Sequence, residues 1–149
     1  MIDVKIDSES KRVLVSVDHI DENIRRGIRQ ALYFSGKSII KDLRAEFLRK
    51  PRSGRVYTSR DRAGRKRRHV ASQPGETAAN WTGKMRKGSD FKVRGFSEMD
   101  MVYENVEYAE WVEDGTSKMK PRPGMKIAID KNERNIENYF HQEINKALA

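Results

Sequence analysis

One long apolar stripe constrains this fold more than any other feature of the sequence. At about residues 18–49 the apolar positions recur every three or four residues, which is the period of a helix with one buried face. The stripe comprises Ile20, Ile24, Ile28, Ala31, Leu32, Ser35, Ile39, Leu43 and Phe47. At the rise of an α-helix, this segment would be roughly 45–50 Å long. Asp18 is a suitable N-cap, and Pro51 ends the helix because proline disfavours helical geometry in the residue before it.

The same helix carries signs of close neighbours. Gly27 and Gly36 lie inside it, where each glycine costs about 1 kcal/mol relative to alanine, and they indicate a bend or the close approach of another backbone. We interpret the main stripe as core packing. Phe34, Ile40 and Leu48 widen the apolar face beyond that stripe, which favours a contact between part of it and another subunit.

Two pairs of alternating segments predict antiparallel strands. The first pair, at residues 2–6 and 13–17, predicts an N-terminal β-hairpin. The second pair, at residues 91–94 and 99–103, turns at residues 95–98. A second amphipathic helix follows from Met125 nearly to the C-terminus. The predicted fold class is therefore α+β, with an N-terminal β-hairpin, a long amphipathic helix, a small antiparallel sheet, a C-terminal helix and an inserted basic loop.

Length and composition fit one domain over residues 1–149 with a modest core. Hydrophobic and charged residues each make up 36% of the chain, so much of its surface is committed to water or to partners. There is no cysteine, which excludes a disulfide framework and a thiolate metal site. We expect no signal peptide at the N-terminus and no membrane-spanning segment, because no apolar run of the required length occurs.

Residues 50–82, here called the basic arm, carry nine Lys and Arg against two acidic residues, a net charge of +7. Residues 50–94 contain 14 Lys and Arg against three acidic residues, a net charge of +11, while the rest of the chain carries −2. An anionic partner is therefore expected, either nucleic acid or the acidic surface of a neighbouring subunit. The predicted contact residues are Arg52, Arg55, Arg60, Arg62, Arg65, Lys66, Arg67, Arg68 and His69.

The basic arm shows almost no apolar periodicity, which predicts a long loop without regular structure. A loop with so few apolar residues cannot order itself, so we expect a neighbouring copy or a nucleic acid to order it. Trp81 is its predicted anchor on the body, and the Thr82-Gly83-Lys84-Met85 segment predicts a short turn or the start of a helix.

Residues 107–123 change character twice. Tyr108, Trp111 and Val112 are spaced to share one face of a short helix, with acidic residues on a solvated opposite face. We call residues 107–114 the acidic turn. Gly115 ends the helix, and two prolines then stiffen an extended segment, residues 116–123, which we call the strap. The predicted subunit interface comprises Glu107, Glu110, Glu113, Asp114, Gly115, Thr116, Lys118, Met119, Pro121, Arg122 and Pro123.

Two patches of this sequence carry a resemblance to a known family. The first is Tyr108-Ala109, then Val112-Glu113, Asp114-Gly115-Thr116 and a basic segment that ends in Arg122-Pro123. The second is Ala71-Ser72-Gln73-Pro74-Gly75-Glu76 followed by Thr82-Gly83-Lys84-Met85. In this order and spacing they resemble the signature of the tail-completion, or head–tail joining, proteins of long-tailed bacteriophages and prophages.

The resemblance implies a structural protein of the virion neck or tail, present in the host cytoplasm during assembly. It implies the same broad α+β class, no catalytic activity and no cofactor. It further implies a homo-oligomeric ring around the DNA passage, with sixfold symmetry as our expectation. Expected partners are other copies of the chain, connector or head-completion proteins, tail-terminator or tube proteins, and packaged double-stranded DNA.

Two other functions stay open at the level of sequence. The basic arm fits a free-standing module that binds nucleic acid without sequence specificity. A row of carboxylates fits a metal-dependent nuclease, if several converge on a divalent cation. The row comprises Glu104, Glu107, Glu110, Glu113 and Asp114. The three histidines, His19, His69 and His141, lack metal-ligand spacing, and no serine lies in a nucleophile-elbow motif. We therefore predict that the chain is not an enzyme.

Overall fold

A computed structural model describes residues 2–17, 21–49, 52–80 and 82–149. It is mixed α+β, which confirms the predicted class. The helices of the described part are α1 (Glu22–Leu48), α2 (Lys84–Gly88), α3 (Ala109–Asp114) and α4 (Gly124–Leu148). The strands are β1 (Ile2–Asp7), β2 (Arg12–Val17), β3 (Val56–Arg60), β4 (Lys66–Val70), β5 (Ser89–Arg94) and β6 (Glu98–Tyr103). No helix within these ranges is long and apolar enough to cross a membrane.

Four strands form one antiparallel sheet in the order β1-β2-β6-β5. Both predicted strand pairs are therefore confirmed, and they join where Val13 of β2 lies opposite Met99 of β6. Both of these side chains are buried, so the alternation seen in the sequence marks the face that points into the core. Strands β1 and β5 form the two edges of this sheet.

The two long helices pack against each other and complete the core. They run antiparallel, because Gly27 near the start of α1 lies against Glu143 near the end of α4, and Leu43 lies close to Gly124. A Cβ on Gly27 would lie 2.9 Å from the carbonyl oxygen of Glu143, and a Cβ on Gly36 would overlap the ring of Phe91. Gly27 thus marks the close approach of another backbone, as one of the two interpretations drawn from the sequence had it, whereas Gly36 makes room for an aromatic side chain.

A buried polar contact fixes the register of these helices. The hydroxyl of Ser38 donates to Oδ1 of Asn132 over 2.6 Å, and Nδ2 of Asn132 donates to Oδ2 of Asp42 over 2.7 Å. Nδ2 also donates to the carbonyl of Ala128 in its own helix. Asn132 is fully buried, so sliding one helix past the other would break its two hydrogen bonds to α1 and leave only those within α4.

Helix α1 begins later than the sequence predicted. Its N-cap is Asp21, whose carboxylate accepts a 2.8 Å hydrogen bond from the N–H of Ile24. The predicted cap, Asp18, lies outside the described residues, as do His19 and Ile20. The helix ends at Leu48, close to the predicted end, and Lys50-Pro51 also lies outside the described residues.

The basic arm is not the irregular loop that the sequence predicted. Residues 56–60 and 66–70 pair as an antiparallel ribbon, from Val56 opposite Val70 to Arg60 opposite Lys66. The prediction failed because apolar periodicity appears only when one strand face is buried, and most of this ribbon is exposed. After the arm, helix α2 at Lys84 confirms the predicted helical start, whereas Trp81 lies outside the described residues.

Candidate interaction surfaces

Asp61 stabilises the turn between β3 and β4, at the tip of the basic arm. Its Oδ1 accepts hydrogen bonds from the N–H groups of Ala63 and Arg65, each over 2.9 Å. Gly64 completes the turn with a φ of 76°, a conformation that favours glycine. The backbone N–H of Arg65 is the largest of several contacts that hold the pKa of Asp61 below its usual range. This turn chemistry, rather than apolar periodicity, was the signal in the sequence for a hairpin.

The two faces of the ribbon differ in how their cations are paired. Because directly opposite residues share a face, Arg60, Lys66 and Arg68 project from one side. On the other side, Arg65 and Arg67 place their Nε atoms 2.9 and 3.5 Å from Oδ2 of Asp61. We call the side with Arg60, Lys66 and Arg68 the unpaired face, because none of these three forms an ion pair among the described residues; Arg60 does donate to the carbonyl of Gly64 over 3.1 Å. Arg60 and Lys66 are like charges in directly opposite positions, which is unfavourable until an anion approaches.

Other predicted contact residues of the arm are used inside the chain. Arg55 lies over the ring of Tyr57, 5.5 Å from its centroid. The half-buried guanidinium of Arg52 donates to the carbonyl of Glu46, and burial lowers the pKa of Arg52. Arg52 therefore attaches the base of the arm to the end of α1. Arg62 at the tip is exposed, and His69 opposite Tyr57 is half-buried.

The strap connects the return of the basic arm with the acidic turn. The guanidinium of Arg122 donates to the hydroxyl of Ser72 over 3.0 Å and to its carbonyl over 3.2 and 3.3 Å. The N–H of Arg122 donates to the carbonyl of Val112, and the N–H of Gly75 donates to the carbonyl of Pro121. The two sequence patches that carry the family resemblance therefore meet in space, although about 50 residues separate them.

The first half of the strap is a tight turn rather than an extended segment. Thr116 and Met119 exchange backbone hydrogen bonds, and the Thr116 hydroxyl accepts from the N–H groups of Lys118 and Met119. Gly115 has a φ of 79°, and a Cβ there would lie 2.7 Å from the carbonyl oxygen of Met119. The strap is not extended at its end either, because Pro123 has φ −81° and ψ 74°, and the N–H of Gly124 donates to the carbonyl of Arg122 across it.

Glu113 is the buried centre of the acidic turn. It is 3% exposed, so the prediction that it belongs to a solvated acidic face is wrong. The hydroxyl of Tyr103 donates to Oε1 over 2.6 Å, and the N–H of Met125 donates to Oε1 and Oε2 over 3.0 and 3.2 Å. Burial raises the pKa of the carboxyl group more than these hydrogen bonds lower it. The same burial, with the adjacent carboxylate, raises the pKa of Tyr103.

The reason for this burial lies at the start of α4. The first N–H groups of a helix need acceptors, and Pro123 has no side chain that can cap them. Glu113 supplies the acceptor from a separate helix and places negative charge where the helix dipole favours it. Gly124 makes room for this approach, since a Cβ there would lie 3.2 Å from Oε1 of Glu113. Trp111, predicted to share one helix face with Tyr108 and Val112, is 59% exposed, whereas those two side chains are half-buried.

The other carboxylates of this region do not converge. Asp114 lies 2.9 Å from Nζ of Lys11, Glu104 lies 3.1 Å from Nζ of Lys92, and Glu107 and Glu110 are exposed. Among the residues that the structure describes, no group of three or more His, Asp or Glu side chains is placed to hold a metal ion. This arrangement does not favour the metal-dependent nuclease.

An aromatic row along the outer side of α1 escaped the sequence analysis. Tyr33 lies 5.7 Å from Phe91 and 6.2 Å from Phe34, and Phe34 lies 6.0 Å from Tyr139, all between ring centroids. The only signal in the sequence was the position of Phe34 beside the main stripe.

Comparison of the chain with protein-family models, with curated proteins and with solved structures finds no match.

Proposed function

We propose that this chain is a structural protein of a bacteriophage neck or tail. It assembles as a homo-oligomeric ring at the head–tail interface, around the DNA passage, and joins or completes the tail. The proposal rests on the resemblance of the two sequence patches to tail-completion proteins. Their contact through Arg122 and Ser72 supports it, because the patches then serve one structural purpose.

The exposed ribbon of the basic arm is the structural observation that supports the proposal most strongly. Residues 56–70 hold six Lys and Arg against one Asp, and every side chain of β3 is exposed. A two-stranded hairpin is marginally stable by itself in water, so an external surface is expected to stabilise this one. A cationic element that extends from a near-neutral body is suited to reach an adjoining subunit or packaged DNA.

Reversing the charge of the arm tests this proposal. The variant with Arg65→Glu, Lys66→Glu, Arg67→Glu and Arg68→Glu should no longer assemble with connector and tail-tube proteins of the same phage. A matched variant reverses four exposed cations on the body, Lys5, Arg29, Lys87 and Arg134, and should assemble normally. Equal assembly of wild type and the arm variant, measured by light scattering after size exclusion, would contradict the proposal.

A free-standing nucleic-acid-binding module is the second candidate, favoured by the unpaired face of the ribbon. Arg60, Lys66 and Arg68 are aligned there, and a two-stranded ribbon fits the major groove of a duplex. Contacts of these side chains with phosphates would be independent of base sequence. In this case a single copy would bind DNA by itself, with an affinity that falls steeply with salt.

A further inference from the structure

Trp111 is an exposed anchor within an acidic surface. It projects from α3, a helix of six residues, and 59% of its surface is accessible. Asp114 is three residues further along the helix and therefore neighbours it on the surface, with Glu110 beside it. Residues 104–114 contain no Lys or Arg, and four of their five acidic residues are exposed, namely Glu104, Glu107, Glu110 and Asp114. Two of these four, Glu104 and Asp114, pair with lysines of the same chain. Tryptophan is usually well buried, and it is enriched among the residues that dominate binding energies at interfaces.

A groove of complementary character lies between α1 and β5. Its volume is about 470 Å³, and its lining includes Tyr33, Lys37, Ile40, Lys41, Arg44 and Phe91. Tyr33 is 46% exposed, and its ring packs against Phe91 on one side while Nζ of Lys37 lies 5.4 Å from its centroid. The groove thus offers an aromatic floor with three cations around it.

We propose that Trp111 of one copy inserts into the Tyr33–Phe91 groove of the next copy. This inference rests on the proposed ring and identifies the contact that builds it. The indole would pack against the two rings of the groove and beneath the cations of Lys37 and Lys41. Asp90, the one acidic residue of the groove, would accept a hydrogen bond from the indole N–H.

Charge complementarity favours a second copy of this chain as the binding partner of the groove. Glu107 and Glu110, the exposed carboxylates near Trp111, would face Lys37 and Lys41. Asp114 pairs with Lys11 of its own chain, and Arg44 donates to the carbonyl of Ser89 over 2.8 Å. The two surfaces are different parts of the molecule, so the contact is heterologous and generates a ring when its rotation closes. The acidic turn then pairs with the groove rather than with the basic arm, which leaves the arm free for DNA or for other tail proteins.

Disulfide trapping tests this contact directly, since the chain has no cysteine of its own. Glu110→Cys and Lys41→Cys variants are mixed and mildly oxidised. We expect a mixed dimer in at least tenfold excess over the dimers that each variant forms alone. The control replaces the first partner with Glu133→Cys, an exposed position on α4. Equal trapping with the control would overturn the proposed contact.

A second measurement separates this inference from the proposed function. Trp111→Ala should raise the apparent dissociation constant of assembly at least tenfold, while Leu148→Ala, which removes another exposed apolar side chain, should not change it. Combining Glu110→Lys with Lys41→Glu should restore the assembly that either substitution weakens. If Trp111→Ala assembles like wild type, the contact is wrong but the ring stands. If wild type remains a single copy at every concentration and in mixtures with tail proteins, both the Trp111 contact and the proposed ring are wrong.

Discussion

The hydroxyl of Tyr103 donates a 2.6 Å hydrogen bond to the carboxylate of Glu113, which in turn accepts the N–H of Met125 at the start of α4. This pair links the last strand of the sheet, the acidic turn and the C-terminal helix at one buried point. It holds α3 so that Trp111 faces outward, and it places Val112 where the strap can bind its carbonyl. The exposed interaction surfaces therefore depend on a buried polar contact.

Removing the Glu113 carboxylate should destabilise the fold. In Glu113→Ala, the hydroxyl of Tyr103 and the N–H of Met125 lose their buried acceptor, which should lower the free energy of unfolding by about 2–4 kcal/mol. Tyr103→Phe should cost less, about 1–2 kcal/mol, because the N–H of Met125 still has its partner. Urea unfolding measures both. Glu110→Ala, an exposed carboxylate on the same helix, should stay within about 0.5 kcal/mol of wild type.

The pH dependence of stability should reveal the raised pKa of Glu113. An acid whose pKa is higher in the folded state binds more protons there, so the folded state loses stability as pH rises from the ordinary glutamate pKa of 4.5 through the raised pKa of Glu113. Wild type should therefore lose stability relative to Glu113→Gln, which resembles the protonated acid, between pH 4.5 and pH 7. Unfolding titrations at several pH values measure this difference, and a constant difference would contradict the assigned shift.

Glu46 and Glu76 should change the pH dependence of stability in the direction opposite to that of Glu113. A hydrogen bond from Lys131 is the main cause that lowers the pKa of Glu46, and contacts at the base of the arm, led by the Ser53 hydroxyl, lower that of Glu76. Their stabilising contributions are present above the ordinary glutamate pKa of 4.5 and are lost as pH falls through the lowered pKa values. Glu46→Gln should therefore destabilise the protein at pH 7 and have less effect near pH 3, measured by thermal unfolding.

Arg122 should control how firmly the basic arm is attached. Arg122→Ala removes the hydrogen bonds to the hydroxyl and carbonyl of Ser72, and the N–H of Gly75 should then exchange with solvent about tenfold faster or more. Arg122→Lys should restore little of this protection, because an ammonium cannot reproduce the fork geometry of a guanidinium. Hydrogen exchange measures the effect, and Lys120→Ala, which removes an exposed cation nearby, is the control.

The unpaired face of the ribbon should set the salt dependence of any DNA binding. Each phosphate contact contributes about −0.9 to the slope of log affinity against log salt. Arg60→Ala, Lys66→Ala and Arg68→Ala together should make that slope shallower by about 2–3 for a duplex of any sequence. The matched triple Lys5→Ala, Arg29→Ala and Arg134→Ala removes equal charge from the body. Identical slopes for both triples, measured by fluorescence anisotropy, would exclude the arm as the DNA contact.

The main elements of the fold were predictable because they bury regular apolar faces. Ile28, Leu32, Ile39, Leu43 and Phe47 repeat with helical period, and all of them are buried as predicted. Glu113 was mispredicted because its burial depends on the N-terminus of a different helix, which the pattern within α3 does not contain. The ribbon of the arm was missed because a strand pair with two exposed faces has no apolar alternation to detect.

Our main proposal is that this chain forms a ring, either by itself or with tail proteins. Imaging of the purified full-length chain tests this most directly. Negative-stain class averages are collected for the chain alone and mixed with connector and tail-tube proteins of the same phage. The account predicts closed rings with a central opening wide enough for a DNA duplex, and Trp111→Ala should reduce their number. Single copies under every condition, including the mixtures, would contradict it.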